Sequence, residues 1–236
     1  MLAVMGAMDE EVAHLKRDME LQSEAEHAGI AVYQGRYAGA EIVLAKCGVG
    51  KVNATICTQM LIDRYAPQAL LFSGVAGGLL PNMRVGDIVV ASHLVQYDMD
   101  LTAFGRRYGE MACGERTTEC DPDMVRQAAE AYDAAYPDPA AAPGLMLGTI
   151  ASGDRFIQDA DTLRWLQREF SALATEMEGA AFGYTCRLNA LPFVVVRGLS
   201  DTADENAPDD FSSNLHTVSR NMHPFLEKLI PALAGR

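Results

Sequence analysis

Hydrophobic residues at the start of the chain follow two different rhythms. Residues 2–5 form an unbroken apolar run closed by Gly6, which predicts a buried strand. Behind it Met8, Val12, Leu15 and Met19 recur at helical spacing, so one face of a helix follows the strand. Acidic residues crowd the first turn of that helix and Lys16 and Arg17 come later, the polarity that a helix dipole favours. Strands over 30–34 and 41–46, with a turn around Ala38-Gly39, predict a hairpin. Gly48-Val49-Gly50 then leads into a helix over 51–64. A third apolar strand, 69–73, ends in Gly74-Val75-Ala76-Gly77-Gly78. A strand over 88–92 is extended by 94–97, and the glycines and mixed charges of 98–120 predict a loop.

The second half alternates in the same way. Residues 123–135 read as a helix. Pro137, Pro139 and Pro143 among alanines make an extended connection. A strand over 145–150 resumes at once, so the connection reads as a surface excursion within one domain, residues 1–236. A helix over 161–170 follows. Met177, Ala180, Ala181, Tyr184 and Leu188 mark another, which Glu176 and Glu178 open. Residues 193–196 form the most apolar β-branched strand. Leu215, Val218, Met222, Phe225, Leu226 and Leu229 mark a long final helix, kinked near Pro224. Alternating strands and helices with one hairpin predict an α/β fold, three layers (α/β/α) around a twisted mixed sheet.

Charge narrows the partners. With 19 Lys and Arg against 32 Asp and Glu, the chain carries a formal charge of −13. Its basic residues are scattered, whereas nucleic acids and anionic membranes require clustered ones. Neither is expected as a partner. Cys47, Cys57, Cys113, Cys120 and Cys186 show no CxxC spacing and read as buried reduced thiols, which fits a reducing compartment. The N-terminus lacks a basic region and a long apolar stretch, and no run reaches the ~18 apolar residues of a membrane span. A cytoplasmic location is expected.

The familiar cofactor motifs are missing. The glycines at 74–78 do not form GxGxxG, Gly50-Lys51 does not complete a P-loop, and neither HExxH nor GxSxG occurs. No metal or other cofactor is implied. What remains is acidic. Glu11 falls in the first helical turn after the opening strand, Glu176 and Glu178 begin a later helix, and Asp201 follows the strand at 193–197. Ligands in open α/β sheets bind beyond the carboxyl ends of strands, so these carboxylates can converge on one pocket. Each also has a plainer explanation: Glu11 and Glu178 suit helix N-termini, and Asp201 suits a turn cap.

Taken in order, Gly6-Ala7-Met8-Asp9-Glu10-Glu11, Ser73-Gly74-Val75-Ala76-Gly77-Gly78, Val85-Gly86-Asp87-Ile88-Val89, Leu101-Thr102-Ala103-Phe104-Gly105, Ser152-Gly153-Asp154-Arg155-Phe156-Ile157, Glu176-Met177-Glu178-Gly179-Ala180 and Val196-Arg197-Gly198-Leu199-Ser200-Asp201 form a recognisable series. The chain resembles the 5′-methylthioadenosine/S-adenosylhomocysteine nucleosidases of the nucleoside phosphorylase-like superfamily from about residue 1 to 230. The resemblance implies hydrolysis of the N-glycosidic bond of 5′-thioadenosines, without a cofactor. It implies a homodimer in which Leu101 and Phe104 reach into the partner's pocket. By motif position, Glu11 resembles the residue that deprotonates the attacking water, Glu178 the carboxylate on the ribose hydroxyls, and Asp201 the general acid at adenine N7. Phe156 would stack on the base and the Ile157 backbone would pair with its edge. Met177 would pack on the ribose, and Ser200 and Arg197 would orient the carboxylates or the water. Glu176 belongs to the same signature, and Met8, Val49, Val75 and Phe211 would line the pocket.

That chemistry suits these residue types. Breaking a nucleoside C–N bond builds positive charge on the sugar and negative charge on the base, and two carboxyl groups can divide the work. Asp201 must hold a proton that an unperturbed aspartate, with a pKa of about 3.9, would lose. Glu11 must stay ionised to act as a base. Asp9, Glu10 and Glu11 would repel a phosphate dianion and hold water, which favours hydrolysis over the alternative, a purine nucleoside phosphorylase. Arg36, Arg84 and Arg197 are the cations able to reverse that argument. A non-catalytic nucleoside-binding module is a third possibility. Two positions depart from the family pattern. Valine stands at 75 where many such nucleosidases have serine, and Arg106 replaces an aromatic residue. Some relatives with valine there and a similar Leu-Val-Gln-x-Asp stretch, here residues 94–98, also use 6-amino-6-deoxyfutalosine, so the resemblance adds that nucleoside as a substrate.

Overall fold

In the computed structural model, which describes residues 1–203 and 207–235, ten strands among the described residues form one mixed sheet. β1 (Leu2–Gly6) feeds α1 (Asp9–Asp18) as the opening pattern predicts. β2 (Glu20–His27), β3 (Ile30–Tyr37) and β4 (Ala40–Lys46) form an antiparallel meander. Then come α2 (Lys51–Tyr65), β5 (Ala69–Gly78) and β6 (Ile88–Gln96). The predicted loop holds a 3₁₀ turn at Thr102–Phe104 and the short β7 (Thr118–Glu119). α3 (Pro122–Ala135), β8 (Leu145–Ser152), α4 (Ala160–Phe170), β9 (Ala172–Glu176) and α5 (Gly179–Leu188) follow. β10 (Phe193–Asp201), α6 (Ala207–Asn221) and α7 (His223–Ala234) complete the chain.

Alternation along the central strands sets the layers, because successive side chains leave opposite faces of a sheet. Leu2, Val4, Leu71, Val194 and Val196 face α1, α3 and α7, meeting Leu15, Met124, Phe225 and Leu229. Ala3, Met5, Leu70, Phe72 and Val195 face α2 and α5, meeting Cys57, Leu61, Phe182 and Cys186. Each Leu or Phe buried in this way contributes about 1.5–3 kcal/mol relative to exposure.

Pairing gives the sheet a shape that periodicity does not encode. β5 pairs with β1, β9 and β10; β10 also pairs with β6, β6 with β8, and β8 with β9. Those five strands therefore close on themselves, and β1, β4, β3 and β2 extend from β5 as an open wing.

Five expectations change. β2 is a strand that no hydrophobic pattern announces. It is an edge, six of its eight residues are exposed, and its charges suit an edge that must resist pairing with another chain. The strand predicted over 69–73 does not stop at Ser73: β5 runs on through the glycine run to Gly78. Glu176 ends β9 instead of opening a helix, and α5 begins at Gly179. The final helix is two helices, broken at Met222, with Pro224 in the first turn of α7, where its missing N–H is no loss. Four of the cysteines are buried thiols, but Cys113 is exposed.

Candidate active site

A cavity of about 240 Å³ opens where the C-terminal ends of β1, β5 and β10 meet β9 and α6. Met8, Val49, Val75, Met177 and Phe211 supply apolar walls, and Phe156 and Ile157 cover one side. Phe156 meets Phe211 edge-to-face at 5.6 Å between ring centres. The sequence-predicted residues Glu11, Glu176, Glu178, Ser200 and Asp201 all reach this cavity.

Glu11 is held by three amides. Its Oε2 accepts from Ala7 N–H at 2.6 Å and Met8 N–H at 3.0 Å, and its Oε1 accepts from Val75 N–H at 2.8 Å. It thus serves the N-terminus of α1 and faces the cavity at once. Burial pushes its pKa up; the Arg197 charge and the three amides oppose that rise. A carboxylate with a raised pKa is a stronger base than a free glutamate.

Glu176 and Glu178 differ although one residue separates them. Glu176, rather than Glu178, caps α5: it accepts from Glu178 N–H at 3.2 Å and Gly179 N–H at 2.8 Å. It also takes the Ser152 hydroxyl and a guanidinium bond from Arg197. Glu178 has a lighter set of partners. Gly50 N–H donates to its Oε1 at 2.8 Å, and Arg197 stands 3.6 Å from its Oε2. Burial, reinforced by the Glu176 charge, lifts its pKa to about 7. Arg197 itself is fully buried, behind these glutamates instead of in the cavity wall, with its guanidinium 4.4 Å from the Phe72 ring centre. Burial pulls its pKa down, but Glu176, Glu178 and Glu11 together outweigh that and keep it charged.

Asp201 lies beyond the other end of this group. It is 2% exposed. Its Oδ2 accepts from the Ser200 hydroxyl at 2.8 Å and its Oδ1 from Ala203 N–H at 2.9 Å, so it also caps its turn. Two glycines make the arrangement possible. A side chain at Gly74 would collide with Arg197 and Glu11, and one at Gly77 would lie 2.8 Å from Asp201 Oδ1. Val75, which binds Glu11, and Gly77, which faces Asp201, are two residues apart on β5, about 7 Å at strand rise.

Loops around the mouth are tied together. Lys51 Nζ meets Asp98 Oδ1 at 2.6 Å, Asp154 N–H donates to Asp98 Oδ2 at 3.0 Å, and Lys51 N–H donates to Asp154 Oδ1 at 2.9 Å. This holds the Phe156 loop against α2. Leu101 and Phe104 do not line the cavity of their own chain, and Phe104 is 82% exposed. Arg106 pairs with Glu110 inside its loop at 2.7 Å. Arg36 and Arg84 are both exposed and stay away from the cavity. Sequence reasoning passed over Ala7, Ala76, Gly77, Arg155 and Thr175, which also line it. The glycine run was the one available signal, since small residues in a strand mark a close approach. Arg155 is engaged by Asp159 at 2.8 Å.

The profile of the phosphorylase superfamily matches residues 1–231. A Geobacillus thermodenitrificans 5′-methylthioadenosine/S-adenosylhomocysteine nucleosidase is 40% identical over 93% of this chain and 91% of its own. The chain belongs to the phosphorylase superfamily and to this nucleosidase family within it. A nucleosidase of the same name from Shewanella pealeana is also 40% identical, over 89% of this chain and 90% of its own. Among solved structures, the Neisseria meningitidis nucleosidase in complex with methylthio-immucillin-A superposes with a TM-score of 0.91 at 32% identity, covering 97% of each chain. The Helicobacter pylori futalosine hydrolase superposes equally well, with a TM-score of 0.91 at 32% identity over 98% of this chain and 97% of that one. The mixed α/β fold is that of this superfamily, and a nucleoside is the kind of substrate its members take. No described helix is long and apolar enough to cross a membrane.

Proposed function

We infer that the chain hydrolyses the N-glycosidic bond of 5′-methylthioadenosine and S-adenosylhomocysteine, releasing adenine and the thioribose. The observation that carries this reading is the placing of Asp201 and of the Glu11–Glu178 pair at separate points of one apolar cavity. Asp201 protonates adenine N7 as the bond breaks. Glu178 holds the ribose hydroxyls and, with Glu11, faces the oxocarbenium-like sugar, whose positive charge these carboxylates stabilise. Glu11 takes the proton of the attacking water. Ser200 orients Asp201, and Arg197 orients Glu178. Phe156, Ile157, Met177, Met8, Val49, Val75 and Phe211 pack around base and sugar.

Water, not phosphate, is the nucleophile. Glu11, Glu176 and Glu178 surround the single arginine nearest them, and that arginine is bound to Glu176. A phosphate dianion needs free cationic donors. Arg36 and Arg84, which the sequence left as candidates, lie elsewhere.

The active form is a homodimer of single-domain chains, each lending Leu101 and Phe104 to its partner's pocket. Support comes from the surface: Phe104, Val52 and Ile56 on α2, and Leu188 on α5, are exposed apolar side chains. Val75 and the likeness to a futalosine hydrolase support 6-amino-6-deoxyfutalosine as a second substrate.

Product analysis tests the reading. Incubated with 5′-methylthioadenosine, the protein releases adenine and free methylthioribose at the same rate with and without phosphate. A strict phosphate requirement and a sugar 1-phosphate product would refute it. Sedimentation tests the dimer, which Phe104→Ala leaves assembled but less active.

A further inference from the structure

The turn that opens α2 offers two consecutive amides to two carboxylates from distant parts of the chain. Gly50 N–H donates to Glu178 Oε1 at 2.8 Å, and Lys51 N–H donates to Asp154 Oδ1 at 2.9 Å. The first amides of a helix lack partners within it, and Gly50, at the N-cap of α2, has no side chain to supply one. Asp154 arrives from the loop between β8 and α4 and takes that role. Two residues after it stands Phe156, and Val49, one residue before Gly50, lines the cavity with it. One turn thus holds both Glu178 and the loop that carries Phe156.

More bonds fix the same stretch. Asp154 N–H donates to Asp98 Oδ2 at 3.0 Å, and the Lys51 ammonium binds Asp98 Oδ1 at 2.6 Å and lies 3.9 Å from Asp154 Oδ2. Gly153 N–H donates to the Glu176 carbonyl at 3.1 Å, and the Tyr97 hydroxyl donates to the Arg155 carbonyl at 3.2 Å. Beyond this stretch residues 156–159 belong to no helix or strand. Phe156 itself is 40% exposed, and Ile157 is buried. The ring therefore sits between two anchors, the buried Ile157 on one side and the bonded residues 153–155 on the other.

We propose that Asp154 is a positioning residue: docked on the Lys51 amide and backed by Asp98, its carboxylate fixes Phe156 relative to Glu178 and so presets the spacing between base and ribose. This rests on the reading that the base stacks on Phe156 while Glu178 holds the ribose. Without the tie, Phe156 is in place in only a fraction of the molecules, and apparent affinity falls by that fraction. A bound substrate holds the loop itself, so turnover suffers less than binding.

Steady-state kinetics with 5′-methylthioadenosine and titration calorimetry with adenine, on Asp154→Ala and Asp154→Asn, test this. Asp154→Ala raises KM and the adenine Kd about 10-fold, in the range of one hydrogen bond to a charged group, while kcat changes by less than about 3-fold. Asp154→Asn retains most of the affinity, because its amide oxygen still accepts from Lys51 N–H. Unchanged adenine affinity in Asp154→Ala, a loss that falls mainly on kcat, or an asparagine variant as weak as the alanine one overturns the proposal. Should Asp154→Ala fail to fold, Asp98→Ala, which removes the other carboxylate of the cluster, decides by the same split between KM and kcat. Phe156→Ala separates the proposal from the reading beneath it. If that variant binds adenine weakly and Asp154→Ala binds it normally, the positioning role fails alone. If Phe156→Ala binds adenine as tightly as the wild type, the base does not stack on this ring, and both fail.

Discussion

At one end of the cavity Glu11, Glu176 and Glu178 gather around Arg197; at the other Asp201 stands over Gly77, where the Ser200 hydroxyl and the Ala203 amide are among its partners. The first group is rich in charge and poor in compensation. Its backbone donors and Arg197 keep three acids together, and the pKa values of Glu11 and Glu178 nonetheless rise. Such a site is short of positive charge, and a sugar developing cationic character supplies it. The second is the buried Asp201 carboxyl, and on the proposed reading it is where the base departs. On the proposed reading, two neighbouring regions of one pocket thus meet opposite charges in the same reaction.

The sharpest way to break this comparison is at Asp201. Asp201→Asn keeps adenine binding but lowers kcat by about 10³- to 10⁴-fold, near the top of what positioned acid catalysis contributes. Rates of adenine release and calorimetry on the same variant check it, and near-normal turnover would remove Asp201 from its role. The crowded end responds to the loss of its cation. Arg197→Met leaves Glu176 and Glu178 buried without compensation and destabilises the fold by about 3–5 kcal/mol, read from urea unfolding. Glu11→Gln retains the amide contacts only in part and cannot take a proton. Its kcat falls about 10²- to 10³-fold with adenine affinity unchanged, which single-turnover kinetics would show.

A milder test uses pH. The pKa of Glu178 lies at about 7 in the folded protein against 4.5 for the free group. Between those values the folded state binds the extra proton. This group's contribution to stability is therefore greatest below about pH 4.5 and declines as pH rises through 7. Activity runs the other way, since the ionised carboxylate faces the cationic sugar. The kcat/KM profile rises through about pH 7 in the wild type, and that limb disappears in Glu178→Gln. A profile with no limb near neutrality would mean that Glu178 is already ionised in the free enzyme.

How much of this was legible beforehand varies along the chain. The strand–helix opening, the hairpin and the alternation of β5 to β10 with their helices follow from periodicity, because each element buries one continuous face. β2 escaped because an exposed edge strand has no buried face to mark it. Glu176 was placed on the wrong element because a short strand and a helix start look alike in Ala172–Glu176. Glu11, Glu178 and Asp201 were recognisable through motifs spread over the whole chain. The resemblance also implied their roles, but not which carboxylate the amides of α5 and the Arg197 guanidinium would bind. Thr175, which also lines the cavity, offered no signal: threonine in a strand is ordinary.

By itself, then, the sequence determined the layer architecture, the acidic character of the site and the family to which the chain belongs, because periodicity and motif spacing are local properties written into the order of residues. Only the tertiary structure decided that β5, β10, β6, β8 and β9 close on themselves, that Gly74 and Gly77 clear the space for Glu11 and Asp201, and that Arg197 is committed to Glu176. These depend on register and close approach between strands far apart in sequence. A one-residue slip in β5 would turn Val75 and Gly77 to the other face and leave the carboxylates with nothing to act on.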